Sequence, residues 1–382
     1  MSEKVKLGDV CKVQGGYAFK SKQFQKNKIP IVRIGNIQDN QVEIDYSVCY
    51  TEEFLNMHPE FEIQDGDILI AMSGATVGKI GKYKNDKKAL LNQRVGNFIT
   101  TEKLEKGYLY FLLQSPLFEK YILNNAFGCA QPNISSKKIE EFEFYLYDNK
   151  EQMEITNQLD KIQKIVDIRK KQIEQLDELI KSQFVEMFEN KNFEKKTLQD
   201  ITIKITDGSH NPPNGIDENV GYMMLSSQNI VNDKINYENA RYLSKEDFEK
   251  ENARTDLKNG DVLLTIVGTV GRTAIISNEE NITLQRSVAV LKPIEEIKSE
   301  YLVGALKSDD VVRQLNKGAK GVAQKGIYLN DIKKLTISVP PIELQNKFAD
   351  FVKQIDKQKF EIQKSLNEMK KLQESLMNKY FG

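Results

Sequence analysis

Residues that bind metals or close disulfides are scarce in this chain. It has two histidines, His58 and His210, and three cysteines, Cys11, Cys49 and Cys129, among 382 residues. An odd number of cysteines, all in the first half, argues against a secreted disulfide framework and for reduced thiols in a cytoplasm. No Cys or His cluster has metal-ligand spacing, so neither a metal nor a cofactor is expected. No stretch approaches the ~18 apolar residues of a membrane span. The opening Met-Ser-Glu-Lys-Val-Lys has no apolar run behind it, so no signal peptide is expected.

Net charge is missing too. Lys and Arg number 55 and are cancelled by 55 Asp and Glu. Dividing the chain changes little: residues 1–150 carry 20 basic and 19 acidic side chains, and residues 191–341 carry 21 of each. A protein that grips nucleic acid by bulk positive charge is therefore excluded, and any such affinity must come from local patches or from partners. What is present is a 40% hydrophobic fraction, enough to bury real cores, in a length that suits two domains plus spacers.

The chain is written twice. Asp65-Gly66-Asp67-Ile68-Leu69-Ile70 returns as Asn259-Gly260-Asp261-Val262-Leu263-Leu264, 194 residues later. Gly74-Ala75-Thr76-Val77-Gly78 answers to Gly268-Thr269-Val270-Gly271 with one residue deleted. Asn36-Ile37 matches Asn229-Ile230, and Tyr108-Leu109 matches Tyr301-Leu302, at an offset of 193; Gln93-Arg94 matches Gln285-Arg286 at 192. Small drift over many blocks is what loop insertions between homologous domains produce.

Each copy has two parts. The first, residues 1–150 and 191–341, shows short β-branched runs such as 29–34 and 262–267 between Gly, Asn and Asp punctuation, read as strands and turns. Amphipathic stretches at 108–123 and 300–315 read as helices, so the class is α+β. The second part, residues 151–190 and 342–382, has no proline and no glycine before Gly382. Apolar residues recur there at three-four spacing: Ile155, Leu159, Ile162 and Val166 lead the first run, and Phe348, Val352, Ile355 and Ile362 the second. Sustained heptads predict two long helices forming an antiparallel coiled coil, each roughly 60 Å long at 1.5 Å per residue. Polar seam positions Arg169, Gln183, Lys359 and Gln373 would cost stability and fix register. Antiparallel pairing predicts the two domains at opposite ends of a rod, related by a pseudo-twofold axis.

Catalytic motifs fail on inspection. His210-Asn211-Pro212-Pro213-Asn214 suggests the Asn-Pro-Pro-aromatic motif of adenine methyltransferases, but Asn214 stands where the stacking ring belongs, and no cofactor-binding glycine loop accompanies it. A proline-rich surface loop is the better reading. The two glycine blocks lack the Gly-Lys-Ser/Thr ending of a nucleotide loop and read as tight turns, although amides beside Thr76, Lys79, Thr269 and Arg272 are placed to contact phosphate. Asp65, Asp67 and Asp261 lack a following Glu-x-Lys, so a turn before a buried strand is preferred to a nuclease metal site.

Two mixed domains, each followed by a long helix, resemble the specificity subunit of Type I restriction–modification enzymes over the whole chain. The local marks are Leu7-Gly8-Asp9-Val10, Asn36-Ile37, the Gly-Asp-Ile/Val-Leu strand and 128–134 in the first copy. In the second they are Asp207-Gly208-Ser209-His210 and Val339-Pro340-Pro341. Two departures fall where the helices begin: Asp148-Asn149-Lys150 replaces paired prolines, and Leu344-Gln345 replaces Glu-Gln. The resemblance implies a non-catalytic subunit whose domains each read half of a bipartite site on double-stranded DNA. Its helices would set the spacing and dock two modification subunits, through which restriction subunits join.

The repeat restricts where reading can occur. Positions shared by both copies cannot distinguish two half-sites, so they serve scaffold or phosphate contacts. Readers must lie where polar residues differ. In copy one these are Tyr17, Lys20, Ser21 and Lys22, with Gln131, Asn133, Ser135 and Ser136 on a second loop. In copy two they are Asp207, Ser209, His210 and Asn211, with Lys320, Gln324 and Lys325. A competing function is a two-domain protein adaptor with a coiled-coil spacer; association with duplex DNA separates the two.

Overall fold

The computed structural model describes residues 3–126, 132–189, 191–217, 219–277, 281–318 and 326–382. The chain divides into two compact units. Unit one comprises Met1–Lys170 with Lys364–Gly382, and unit two comprises Lys171–Gln363. Two helices of 40 residues, Asn149–Phe188 and Ile342–Phe381, contribute to both.

In unit one, Glu3–Lys6 pairs with Glu143–Leu146, antiparallel. A six-stranded sheet has its four longer strands in the order Cys11–Gly15, Val95–Thr100, Ile68–Ala71, Ile80–Lys82. A four-stranded sheet contains the parallel pair Ile29–Val32 and Ala89–Leu91. Unit two repeats this plan. Glu194–Thr197 pairs with Thr336–Val339, and Thr202–Asp207, Val288–Pro293, Val262–Thr265 and Thr273–Ile275 form the main sheet. Met223–Leu225 runs parallel to Ile282–Leu284. The units differ in part at their connections: the six-residue helix Glu52–Met57 becomes the 11-residue Lys245–Thr255 in unit two, and the strand Glu62–Ile63 of unit one has no counterpart among the described strands of unit two.

Local chemistry explains the shared turns. Asp67 accepts from the Gln64 amide at 3.0 Å, and Asp261 from the Lys258 amide at 2.8 Å. Gly66 and Gly260, at φ of 86° and 90°, supply the left-handed residue each turn needs. The buried strands Ile68–Ala71 and Val262–Thr265 follow directly. Asn36 and Asn229 likewise close their turns by accepting from the Arg33 and Ser226 amides, both at 2.9 Å.

Two sequence expectations need correction. The amphipathic stretches at 108–123 and 300–315 are each two helices, not one. Lys106–Leu112 stops before Pro116–Ala126, and Ser299–Leu306 before Asp309–Gly318. Pro116 lacks the amide to continue a helix, and Ser115 Oγ caps the next one by accepting from Phe118 N at 3.2 Å. In unit two Ser308 does this alone, accepting from Val311 N at 3.4 Å. The second correction concerns register. Leu91 and Leu284 carbonyls accept from Tyr17 and Ser209, whose own carbonyls accept from Gln93 and Arg286. Gln93 therefore corresponds to Arg286, and Arg94 to Ser287, an offset of 193 where the matched letters had indicated 192.

The long helices are anchored by a buried glutamine in each unit. Gln152 Oε1 accepts from the Glu105 amide at 2.8 Å, while its Nε2 donates to Lys103 O at 2.9 Å and Tyr147 O at 2.8 Å. Gln345 repeats the pattern with Lys298, Glu296 and Pro340 at 3.0, 3.1 and 2.9 Å. Helix residues also complete each core. Ile155, Leu159, Met377 and Phe381 join the core of unit one, and Phe184, Phe188 and Phe348 that of unit two. Within unit one Gln373 bonds Gln163 at 2.8 Å and Tyr380 bonds Gln158 at 3.1 Å, so the segments run antiparallel. Within unit two Lys359 pairs with Asp177, and Phe184 meets Phe348 with ring centroids 5.5 Å apart.

Candidate nucleic-acid interface

In each unit one set of backbone hydrogen bonds ties four loops together. In unit one Tyr17 and Gln93 link the first loop to the second, and Met72 N donates to Arg94 O at 2.9 Å to reach the third. Ile134 N donates to Met72 O, and Gly74 N to Pro132 O, both at 2.9 Å, which joins the fourth. Unit two uses the same bonds: Ser209 N to Leu284 O at 2.7 Å, Ile266 N to Ser287 O and Ile327 N to Ile266 O at 2.9 Å. Gly16 and Gly208 make the first crossing possible. A Cβ there would sit 2.2 Å from Leu91 O or 1.9 Å from Leu284 O. The framework is common, so any difference in recognition resides in the side chains it carries.

In unit one the framework carries aromatic rings. Tyr17 is 36% exposed and packs on Phe19, Phe54, His58 and Phe61 at centroid distances of 4.9 to 6.0 Å. Lys20, Ser21 and Lys22 follow it on an exposed single turn. Lys79 and Asn133 lie on the third and fourth loops, both exposed. The glycine block is a turn whose amides are mostly used internally. Val77 N, Gly78 N and Lys79 N donate to Gly74 O, Ala71 O and Thr76 O. Lys79 is the exposed cation of this turn, and Thr76 Oγ1 is buried without a partner. Ser135 is a helix cap that accepts from Lys138 N at 3.2 Å, and Ser136 begins that helix.

In unit two the same framework carries charge. Asp207, 5% exposed, is the centre. Its carboxylate pairs with the Arg254 guanidinium and accepts from His210 Nε2 at 2.9 Å, and its carbonyl accepts from Arg254 Nε at 2.9 Å. Ser209 lies beneath the surface at 6% exposure, which removes its hydroxyl from the outer face. Asn211 is exposed in a stretch without strand or helix. Thr269 and Arg272 are exposed on the third loop, and Arg272 Nη1 donates to Ile230 O at 3.3 Å. Gln131, Lys320, Gln324, Lys325 and Cys129 lie outside the described residues, whereas Cys11 and Cys49 are buried free thiols. Burial pushes the Cys11 thiol up to about 12, which keeps it protonated and unreactive.

Several residues the sequence did not single out share these faces. A groove of about 590 Å³ in unit two is lined by Asp207, His210, Arg254, Arg286, Tyr328 and Asn330, with Ile266 and Ile327 among its apolar floor. Tyr328, 68% exposed, stands where unit one has the capping Ser135. In the sequence Arg286 stands out only as part of the repeated Gln-Arg block, and Arg254 lies 47 residues from Asp207. The polar-difference rule extends to Arg286 and Tyr328 once the register is corrected; no sequence signal links Arg254 to Asp207. Among the described residues, no cluster of His, Cys, Asp or Glu could hold a metal, and no helix is long and apolar enough to cross a membrane.

Comparison with known proteins agrees with this duplication. The family described as Type I restriction modification DNA specificity domain matches residues 2–178 and again 189–371. The Type I restriction enzyme MjaVIII specificity subunit of Methanocaldococcus jannaschii is 32% identical over 180 residues, which is 46% of this chain and 42% of that relative. The EcoBI specificity subunit of Escherichia coli is 25% identical over 397 residues, 95% of this chain and 81% of that one. Among solved structures, the S subunit of a Type I restriction–modification system from M. genitalium shares the fold. Its TM-score is 0.59 at 14% identity, covering 100% of this chain and 96% of that chain.

Proposed function

The chain belongs to the Type I restriction–modification DNA specificity family, and from that premise we propose how its two units divide the work. Each unit reads one half of a bipartite, asymmetric site on double-stranded DNA. The observation that carries this is a shared hydrogen-bond framework bearing aromatic groups in one copy and charged groups in the other. Identical scaffolds with different side chains are what two unlike half-sites require.

The division into residues 1–150, 151–190, 191–341 and 342–382 follows from the repeat. On this reading the helices form an antiparallel coiled coil with pseudo-twofold symmetry that sets half-site spacing and docks two modification subunits, through which restriction subunits join. The antiparallel contacts within each unit and the heptad pattern support it. The chain itself performs no methyl transfer or cleavage, and it works in the cytoplasm. Partners that close around the duplex account for a specificity subunit with no net charge.

Mapping of methylated bases tests this. The chain co-produced with its modification subunits should give a two-part motif, and exchanging residues 1–150 for those of another family member should change one half only. A change in both halves would overturn the domain assignment. The purified chain alone should methylate no DNA, and any measurable methylation by it would overturn the division of labour.

A further inference from the structure

The groove of unit two holds three basic side chains, Arg254, His210 and Arg286, against one carboxylate, Asp207. The two arginines are held very differently. Arg254 reaches Asp207 through both the Nε–H, bonded to its carbonyl at 2.9 Å, and an Nη–H, paired with its carboxylate. Asp207 is itself 5% exposed, so the guanidinium is held along its side edge by a buried group. The end edge, with one N–H from each terminal nitrogen, remains available, and the Arg254 side chain is 48% exposed. Arg286 is exposed, and its side chain makes no hydrogen bond or ion pair among the described residues.

We infer that Arg254, buttressed by Asp207, reads a guanine in the half-site of unit two, and that Arg286 holds an adjacent phosphate. The inference rests on the proposed DNA-reading role of this unit. A phosphate is recognised by charge, and pairing an arginine with a buried carboxylate reduces its charge toward an anion. The pairing does fix direction, which base reading requires. Two parallel N–H groups match guanine O6 and N7 in the major groove, and adenine offers only one acceptor with a competing donor. An unpaired arginine on the neighbouring loop supplies the charge that a phosphate takes. At the matching place in unit one, Gly15 stands for Asp207 and the short helix Glu52–Met57 for Lys245–Thr255, so no such pair forms there among the described residues.

The test uses the full chain assembled with its modification subunits. The motif is first mapped by methylation, and the half belonging to unit two is identified as the half that changes when residues 191–341 are exchanged. Affinity is then measured for duplexes carrying the motif or a single base-pair change at each position of that half. One guanine is expected whose replacement weakens binding to the native complex. Arg254→Ala should abolish that one preference, a loss of roughly 5- to 150-fold in discrimination, and leave preferences at other positions intact. Arg254→Lys keeps the charge and should lose the same preference; it also guards against a variant that fails to fold. Asp207→Asn, a positioning change, should reduce the guanine preference without altering the salt dependence. Arg286→Ala should weaken every duplex equally and lower the salt slope by about one.

A half-site without guanine on either strand would overturn the inference, as would Arg254→Ala weakening all duplexes alike. Failure of the underlying reading looks different. If unit two does not read DNA, exchanging residues 191–341 leaves both halves of the motif unchanged.

Discussion

Tyr17 in unit one and Ser209 in unit two occupy the same crossing, bonded through the same backbone atoms to Leu91 and Leu284. Around Tyr17 are Phe19, Phe54, His58 and Phe61; around Ser209 are Asp207, His210, Arg254 and Arg286. One crossing supports an apolar, polarisable face and the other a directional, charged one. On the proposed reading, unit one suits contacts with base faces and methyl groups, and unit two suits acceptor-rich guanine edges. Recognition can diverge this far because the loops draw their rigidity from backbone bonds and the two glycines, not from the side chains that vary.

Gly208→Ala and Gly16→Ala should therefore have the largest effects, and similar ones. Each Cβ would collide with a strand carbonyl at 1.9 or 2.2 Å, and backbone cannot yield as a side chain can. A loss of about 3 kcal/mol or more is expected in the affected unit, read as an early transition in thermal unfolding. A mild effect in one unit only would break the claim of a common framework. Next come the helix anchors. Gln152→Ala and Gln345→Ala each remove three hydrogen bonds at largely part-buried groups, a loss of about 1–3 kcal/mol in all once water reaches the freed amide and carbonyls. Equal destabilisation in the two variants is the expected outcome of chemical denaturation.

Smaller, and aimed at the difference itself, is Tyr17→Ala. It should weaken DNA binding by roughly 10-fold with no change in salt slope, because the ring carries no charge. Arg286→Ala in unit two should move that slope. If Tyr17→Ala altered the salt dependence, the contrast between an apolar and a charged face would be wrong.

The residues make clear why parts of this were legible in sequence. Duplication and long helices rest on local signals, such as Asp-Gly turns, an absence of proline, and heptads whose seam residues Leu159 and Phe348 are fully buried. The amphipathic stretch at 108–123 misled because helix-helix breaks preserve apolar periodicity; only Pro116 and Ser115 announce the break. The Gln93 register went astray because identical letters, Gln-Arg, lie one residue out of phase with the strand that positions them. The Arg254–Asp207 pair was invisible since a long-range ion pair has no spacing rule. Ser135 and Ser209, both polar and both different between copies, also carry structural tasks that the sequence does not announce: one caps a helix and the other is buried.

The least expected effect sharpens the comparison at the helices. Asp356 in unit two occupies the place of Gln163 in unit one, 193 residues earlier. Burial pushes the Asp356 carboxyl above its usual range; Asp177 and Asp233 add to this, while Lys359 and Lys234 oppose it. A carboxyl raised in the folded state holds its proton more tightly there than in the unfolded chain. Its stabilising contribution is complete below the ordinary value of 3.8 and is lost as pH rises through the raised one. At neutral pH the ionised group therefore works against unit two, and Gln163, which cannot ionise, has no such effect on unit one. Asp356→Asn should raise the melting temperature at pH 7 by about 1–3 °C, an advantage that shrinks on acidification and vanishes near pH 4. Gln163→Asp should introduce the same pH-dependent penalty in unit one. If Asp356→Asn instead lowered stability at pH 7, attraction to Lys359 and Lys234 would outweigh burial, and the carboxylate would be a net support of the helix pair in unit two.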